Sequence, residues 1–196
     1  MQEILEVLRV QSPAPKPQSL AFDGEHLWMG SIETQKIYAI DPTHWTVRDE
    51  AAAPGKPWGM TAVGDELRVL CGEGDDDNRN IRRFVPGHGF KSEAIPCPND
   101  TGSQLGYDGA HLFVSQWYNK QIHMLDPSGK TLRTIGSPRG ICGQVIVGNS
   151  FYLLTTDDEE HGDYFITRIE GAPGAEQAQD LARMPFAGRA LAHDGR

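Results

Sequence analysis

Two acidic segments have the side chains best suited to bind a metal ion. They read EGDDDNRN from Glu73 and DDEEHGDY from Asp157. Divalent cations such as Ca²⁺ or Mg²⁺ bind several converging oxygen ligands, so these segments predict a divalent-cation site. Neither segment has the glycine spacing of an EF-hand loop, and charge runs also occur as solvated loop tips, so both interpretations stay open. The candidate ligands are Glu73, Asp75, Asp77, Asp157, Glu159 and His161.

A second group of residues has the chemistry to bind a small polar molecule. Arg189 carries a planar guanidinium that suits a carboxylate or phosphate, and Trp58 offers an aromatic face for stacking. Cys142 could act as a nucleophile if a neighbouring charge such as Arg189 lowered its pKa, but no histidine is aligned to serve as its base. The candidate ligand-binding residues are Gln18, Trp58, Gln104, Cys142, Gln144 and Arg189.

An internal repeat indicates how these scattered residues would be brought together. LAFDGEHLWMGS from Leu20 matches LGYDGAHLFVSQ from Leu105, and LAHDGR from Leu191 begins a third copy. Between them, WGMTAVGDELRVL from Trp58 matches CGQVIVGNSFYLL from Cys142. The two types alternate, so the basic unit is about 43 residues long. Asp-Gly and Gly-Asn pairs between apolar stretches indicate hairpin turns, and units of four strands are typical of the blades of a β-propeller.

The repeat predicts an all-β, five-bladed β-propeller of four-stranded antiparallel blades, in a single domain that covers residues 1–196. VLRVQSPAPKPQ from Val7 matches the outermost strand and exit loop TLRTIGSPRGICG from Thr131, so we expect an N-terminal strand to close the ring by pairing into the C-terminal blade. A complete fifth blade would need about 20 further residues after Arg196. A two-sheet sandwich is the structural alternative, but it leaves the two alternating unit types unexplained. The predicted blade units are 15–55, 56–100, 101–139, 140–186, and 187–196 together with the N-terminal strand 3–11.

The repeated residues also carry a family resemblance. An apolar strand, Asp-Gly, His-Leu-Trp or His-Leu-Phe, and then KIYAIDP from Lys36 resemble the propeller superfamily of NHL-repeat, SMP-30/gluconolactonase-like, YncE-like and glutamine-cyclotransferase-like proteins. The resemblance covers nearly the whole chain and implies the fold. It does not imply a particular activity, because the matching residues belong to the scaffold and propellers carry many functions. The metal ligands of the SMP-30-like enzymes have no matching motif positions here.

Composition excludes several classes of protein. With 27 acidic and 18 basic residues the net charge is -9, which opposes binding to nucleic acid or to an anionic membrane surface. The sequence contains no apolar run long enough to span a membrane and does not begin like a secretory signal. Its three cysteines, Cys71, Cys97 and Cys142, are widely spaced, which favours reduced thiols and a cytoplasmic location.

Three functions follow from the pattern as alternatives. The innermost strands of such propellers begin at the top mouth of a central channel, so the first prediction is a small polar ligand bound there. The second is a propeller enzyme of the hydrolase, lyase or cyclase type, assisted by a divalent cation at the acidic loops. The third is a protein-interaction scaffold that uses Trp117 and Tyr118, and unpaired strand edges would also favour oligomer formation.

Overall fold

The chain folds into four antiparallel sheets of four strands each, which are the blades of a β-propeller. The structure is a computed structural model and describes residues 1–195. Blade one contains β1 (Pro17–Phe22), β2 (Leu27–Ser31), β3 (Lys36–Ile40) and β4 (Val47–Ala52). Blade two contains β5 (Lys56–Val63), β6 (Glu66–Glu73), β7 (Asn78–Val85) and β8 (Gly89–Pro96). Blade three contains β9 (Gln104–Tyr107), β10 (Leu112–Gln116), β11 (Gln121–Leu125) and β12 (Thr131–Gly136). Blade four contains β13 (Gly140–Val147), β14 (Ser150–Thr156), β15 (Tyr164–Glu170) and β16 (Gln177–Met184).

In every blade the strands lie side by side in chain order, so each sheet is a simple meander. The first strands β1, β5, β9 and β13 contact one another in sequence, which places them around the centre of the molecule. One 3₁₀ turn, Pro98–Asp100, precedes β9, and no helix within residues 1–195 has the length and apolarity to cross a membrane.

The Asp-Gly pairs form the tight turns that join the first two strands of blades one and three. The Asp23 carboxylate accepts hydrogen bonds from the backbone N–H groups of residues 25 and 26, at 2.8 and 2.7 Å. Asp108 makes the equivalent pair of bonds in blade three. The next residue needs a positive φ, +100° at Gly24 and +97° at Gly109, which glycine adopts without strain. The repeated sequence motif therefore encodes a repeated turn.

Alternate residues of each strand pack against the neighbouring blade. Leu67 and Val69 of β6 face blade one. In the same cluster, Trp28 of blade one and Phe84 of blade two make an edge-to-face contact with ring centroids 5.3 Å apart. Leu70 of the same strand faces blade three. A third cluster joins blades three and four around Phe113 and Phe151. Burial of both faces of the central blades explains why these strands are rich in apolar residues.

The prediction of five blades is wrong, because the described residues form four. Residues 3–11, predicted as a strand, form none, and Leu5 and Val7 are more than four-fifths exposed. The N-terminus instead makes one parallel bridge, Gln2 to Ala182, on the outermost strand of blade four. A strand needs a neighbouring strand to complete its backbone hydrogen bonds. Within the described residues, the fifth unit has no second or third strand with which its N-terminal and C-terminal segments could pair.

The C-terminal segment 187–195 nevertheless occupies the position of an innermost strand. A Cβ atom built on Gly143 of β13 would lie 2.8 Å from the backbone of Ala190 and Leu191. The equivalent Gly59 of β5 meets the backbone of Gln104 in the same way, at 2.7 Å. This segment is the start of the predicted fifth unit, and no blade is built on it within the described residues; Arg196, its last residue, lies outside them.

Candidate functional site

The innermost strands begin around a cavity of about 350 Å³ at one end of the central channel. We call it the mouth cavity. Its wall combines aromatic rings, a guanidinium, a carboxylate, hydroxyl groups and an amide, which suits a small polar molecule better than an apolar one. Its lining includes Trp58, Arg79, Gln104, Tyr118, Cys142 and Glu159.

Trp58, Arg79 and Asp77 form a compact unit on one side of the mouth cavity. The Arg79 guanidinium carbon lies 4.0 Å from the centre of the Trp58 ring, a cation–π contact. Both side chains bind the Asp77 carboxylate, Trp58 through Nε1 at 3.2 Å and Arg79 through Nη2 at 2.9 Å. Gly72 leaves the room for this arrangement, since a Cβ there would lie 1.7 Å from Asp77 Oδ1. The unit therefore holds the guanidinium in one fixed orientation.

Arg79 keeps one donor group without a partner. Its Nη1 atom is buried and makes no hydrogen bond to any described residue, whereas Nη2 of the same side chain donates to Asp77. Burial lowers the pKa of the Arg79 guanidinium, and the charge of Asp77 opposes that effect. A buried donor left unsatisfied costs about 1–3 kcal/mol, more when it carries charge. Arg79 is also in the wall of the mouth cavity.

Gln104 closes the channel below the mouth cavity. It is 3% exposed, and its Nε2 lies 3.1–3.2 Å from three backbone carbonyl oxygens, those of Gln18, Trp58 and Arg189. An amide group has two N–H donors, so three acceptors already exceed its capacity. Gln104, which the sequence predicted to bind a ligand, therefore acts in this structure as a plug that ties the innermost strands together.

Cys142 and Arg189 are both engaged with Glu159 at the far side of the mouth cavity. Arg189 Nη1 forms an ion pair with Glu159 Oε2, and the Cys142 thiol lies 3.7 Å from Glu159 Oε1. Burial raises the pKa of Cys142 to about 12, and the charge of Glu159 adds to that effect, while Arg189 opposes it. The expectation that Arg189 would activate Cys142 is not met, because the carboxylate lies between them. A thiol in this state is a poor nucleophile at neutral pH.

Gln144 lies apart from the other predicted ligand-binding residues. It lines a second cavity of about 390 Å³ further along the channel, which we call the lower cavity. Gln18, in contrast, is in the wall of the mouth cavity and also gives its carbonyl oxygen to the Gln104 plug. The structure thus brings Gln18, Trp58, Gln104 and Cys142 together and separates Gln144 from them.

The predicted metal ligands do not converge. Glu73 binds Arg82 through two hydrogen bonds of 2.7 and 2.6 Å, and Asp157 pairs with Lys120 at 2.8 Å. His161 is an exposed side chain on the second acidic loop. Within residues 1–195 no three His, Cys, Asp or Glu side chains are placed to hold a metal ion. This arrangement does not fit the six to eight oxygen ligands of Ca²⁺, and cation binding by Asp75 and the other loop residues stays a prediction.

Arg79 is the mouth residue that the sequence did not identify. It stands directly after the first acidic loop, at the start of β7, where its position in the repeat gave no reason to place it beside Trp58. The available signal was the position of Arg79, two residues after Asp77. The Asp77 carboxylate binds both Arg79 and the Trp58 indole and thereby brings them together. The acidic loop therefore matters through Asp77 as a positioning residue.

Comparisons with known proteins identify the fold. No protein-family model matches the chain, and no curated protein matches it in sequence. Similar solved structures include Kuenenia stuttgartiensis hydrazine synthase, at 16% identity and a TM-score of 0.57 over 90% of this chain and 53% of that one. Myxococcus xanthus glutaminyl cyclase has 14% identity and a TM-score of 0.57 over 85% of this chain and 74% of that one. A functionally unknown protein from Desulfotomaculum acetoxidans has 11% identity and a TM-score of 0.53 over 87% of this chain and 70% of that one.

The chain spans about half the length of the hydrazine synthase chain it matches. Identities of 11–16% carry information on the fold and none on substrate. The narrower resemblance to NHL-repeat and SMP-30-like proteins stays a prediction. Together with the four blades, the comparisons show that this chain has a β-propeller fold.

Proposed function

We propose that this propeller binds a small polar ligand in the mouth cavity, and that the ligand presents a carboxylate or similar acceptor to Arg79. The observation that carries the proposal is the buried, unpartnered Nη1 of Arg79, held in place by Trp58 and Asp77. A guanidinium is a planar donor that matches a carboxylate. Tyr118, which is 87% exposed at the rim, leaves the entrance open to solvent.

Charge at the mouth cavity supports an anionic or strongly polar group rather than a cation. Asp77 is already bound by Arg79 and Trp58, and Glu159 is bound by Arg189, so both carboxylates have cationic partners. The buried side-chain atoms at the mouth cavity that have no partner among the described residues are both donors, Arg79 Nη1 and Trp117 Nε1. We place binding ahead of catalysis because the one candidate nucleophile, Cys142, is buried with a raised pKa.

The test is a calorimetric titration with succinate and with its neutral diamide, succinamide. Succinate should bind more tightly, because a hydrogen bond to a charged partner contributes about 1.5–3 kcal/mol. Arg79→Lys keeps the positive charge and removes the planar fork, and it should weaken succinate binding about tenfold or more.

Arg83→Lys is the matched control on the same strand. Arg83 also pairs with a carboxylate, Glu66, but it lies on the outer surface of blade two away from the cavity. Its replacement should leave succinate affinity within about twofold of the unchanged protein. Equal affinities for succinate and succinamide, or equal effects of the two lysine substitutions, would remove Arg79 from the site.

A further inference from the structure

The lower cavity is separated from the mouth cavity by the Gln104 plug. Its walls come from all four innermost strands and from the C-terminal segment, at residues that follow the mouth residues by two to four positions along each strand. The cavity of about 390 Å³ falls in the usual range for small-molecule sites. The channel thus contains two chambers.

Gln144 provides an acceptor for a ligand in the lower cavity. The side chain is 3% exposed and its Oε1 atom is buried without a hydrogen-bond partner. Its Nε2 is turned toward blade three, where it lies 3.4 Å from the carbonyl oxygen of Phe113 and close to Gly106. Gln144 is in the wall of the lower cavity, and its amide oxygen is the polar atom of this side chain that has no partner among the described residues. A buried acceptor without a hydrogen bond lowers the stability of the folded protein, as the unpartnered donor of Arg79 does.

The lower cavity differs in its charged residues from the mouth cavity, which is lined by Arg79 and Glu159. Asp23 and Asp194 lie in its wall, and none of its lining residues within the described chain is lysine or arginine. The Asp23 carboxylate accepts from two backbone N–H groups and from the indole of Trp28 at 2.5 Å, all of which are neutral donors. Its negative charge is thus oriented, and no ion pair within residues 1–195 balances it. A positive ligand would gain both this charge and the Gln144 acceptor.

We propose that the lower cavity is a second binding site, and that it takes a small organic ammonium ion. Gln144 Oε1 accepts one N–H of the ammonium group, and the Asp23 carboxylate provides the charge complement. The apolar side chains of Met60 and Ile146, which also line the cavity, contact the carbon atoms of the ligand. The site is independent of the mouth cavity, because Gln104 lies between them.

The test uses the indole N–H signals of the ¹⁵N-labelled protein. Trp28 reports on the lower cavity through its hydrogen bond to Asp23, and Trp58 reports on the mouth cavity through Asp77. Titration with ethanolamine should shift the Trp28 signal in a saturable way and leave the Trp58 signal in place. Ethylene glycol, which has a similar size and no charge, should shift neither signal at the same concentrations.

Gln144→Met keeps the length of the side chain and removes the amide. This variant should weaken ethanolamine binding about tenfold, as expected for one hydrogen bond to a charged donor. Intermolecular NOEs between the methylene protons of ethanolamine and the Ile146 methyl groups give a second readout in the unchanged protein, which does not depend on the variant folding. Absence of a saturable Trp28 shift, an equal shift with ethylene glycol, or NOEs to the mouth cavity instead would overturn the proposal.

Discussion

Arg79 and Arg189 are both bound to carboxylates beside the mouth cavity, but their environments differ. Arg189 and Glu159 satisfy each other in an ion pair, whereas Arg79 shares Asp77 with Trp58 and keeps a free, buried Nη1. The identity of the residue does not distinguish these cases. The position of a neighbouring carboxylate distinguishes them. Arg189 was predicted because the repeat aligns it with the starts of the innermost strands, whereas Arg79 has no such position in the repeat.

His123 of β11 provides a test of burial at a single side chain. It is 6% exposed, its Nδ1 lies 3.0 Å from Thr134 Oγ1, and its Nε2 has no partner. Desolvation lowers the pKa of His123 in the folded protein, so the neutral ring is favoured there. In the unfolded chain the ring takes up a proton near pH 6.5. Stability should therefore be complete above about pH 6.5 and should fall as the pH drops toward the lowered folded pKa.

His123→Asn should remove this pH dependence, which for one proton is at most about 1.4 kcal/mol per pH unit. Asparagine keeps a polar group near Thr134 and does not titrate. The measurement is the free energy of unfolding in urea between pH 7.5 and 5.5. His88→Asn, at an exposed turn, should retain the slope of the unchanged protein; the same slope in His123→Asn would show that His123 does not titrate as described.

At the scale of the strands, the sequence predicted what depends on local chemistry. The Asp-Gly turns at Asp23 and Asp108 fix hairpins within blades one and three, and a repeat in the sequence can predict such local turns. The N-terminal strand could not be predicted in this way, because residues 3–11 resemble β12 in sequence but have no third strand to pair with. A β-strand forms when a second strand pairs with it, and the sequence pattern of one segment does not show whether that second strand is present.

Gly143 tests whether the C-terminal segment packs as an innermost strand. Alanine at this position would place a methyl group 2.8 Å from the backbone of Ala190 and Leu191, which must then move. We expect Gly143→Ala to lower the free energy of unfolding by about 1–3 kcal/mol, as overpacking of a rigid contact does. Gly136→Ala is the matched control, since Gly136 also lies in a strand and has no atom within 4 Å of a built Cβ. Equal urea midpoints for the two variants would show that residues 187–195 do not lie against β13.

At the scale of the whole molecule, one plugged channel gives two chambers that differ in their charged residues. The overall charge of -9 does not describe either of them, because Arg79 and Glu159 line the mouth cavity, whereas the Asp23 carboxylate and the Gln144 amide line the lower cavity. The sequence predicted that the starts of the innermost strands would meet, and they do. It could not predict the division of the channel, which depends on the direction of the Gln104 side chain across three other segments.

The most direct test of the account follows the four tryptophan indole signals of the ¹⁵N-labelled protein during titration with succinate. Assignment requires only the single Trp→Phe variants. We predict that the Trp58 signal shifts and saturates, that the Trp28 signal on the other side of the Gln104 plug stays in place, and that Arg79→Lys removes the shift at the same succinate concentration. A saturable shift of Trp28 without one of Trp58, or a Trp58 shift that survives Arg79→Lys unchanged, would contradict a ligand site at the mouth cavity.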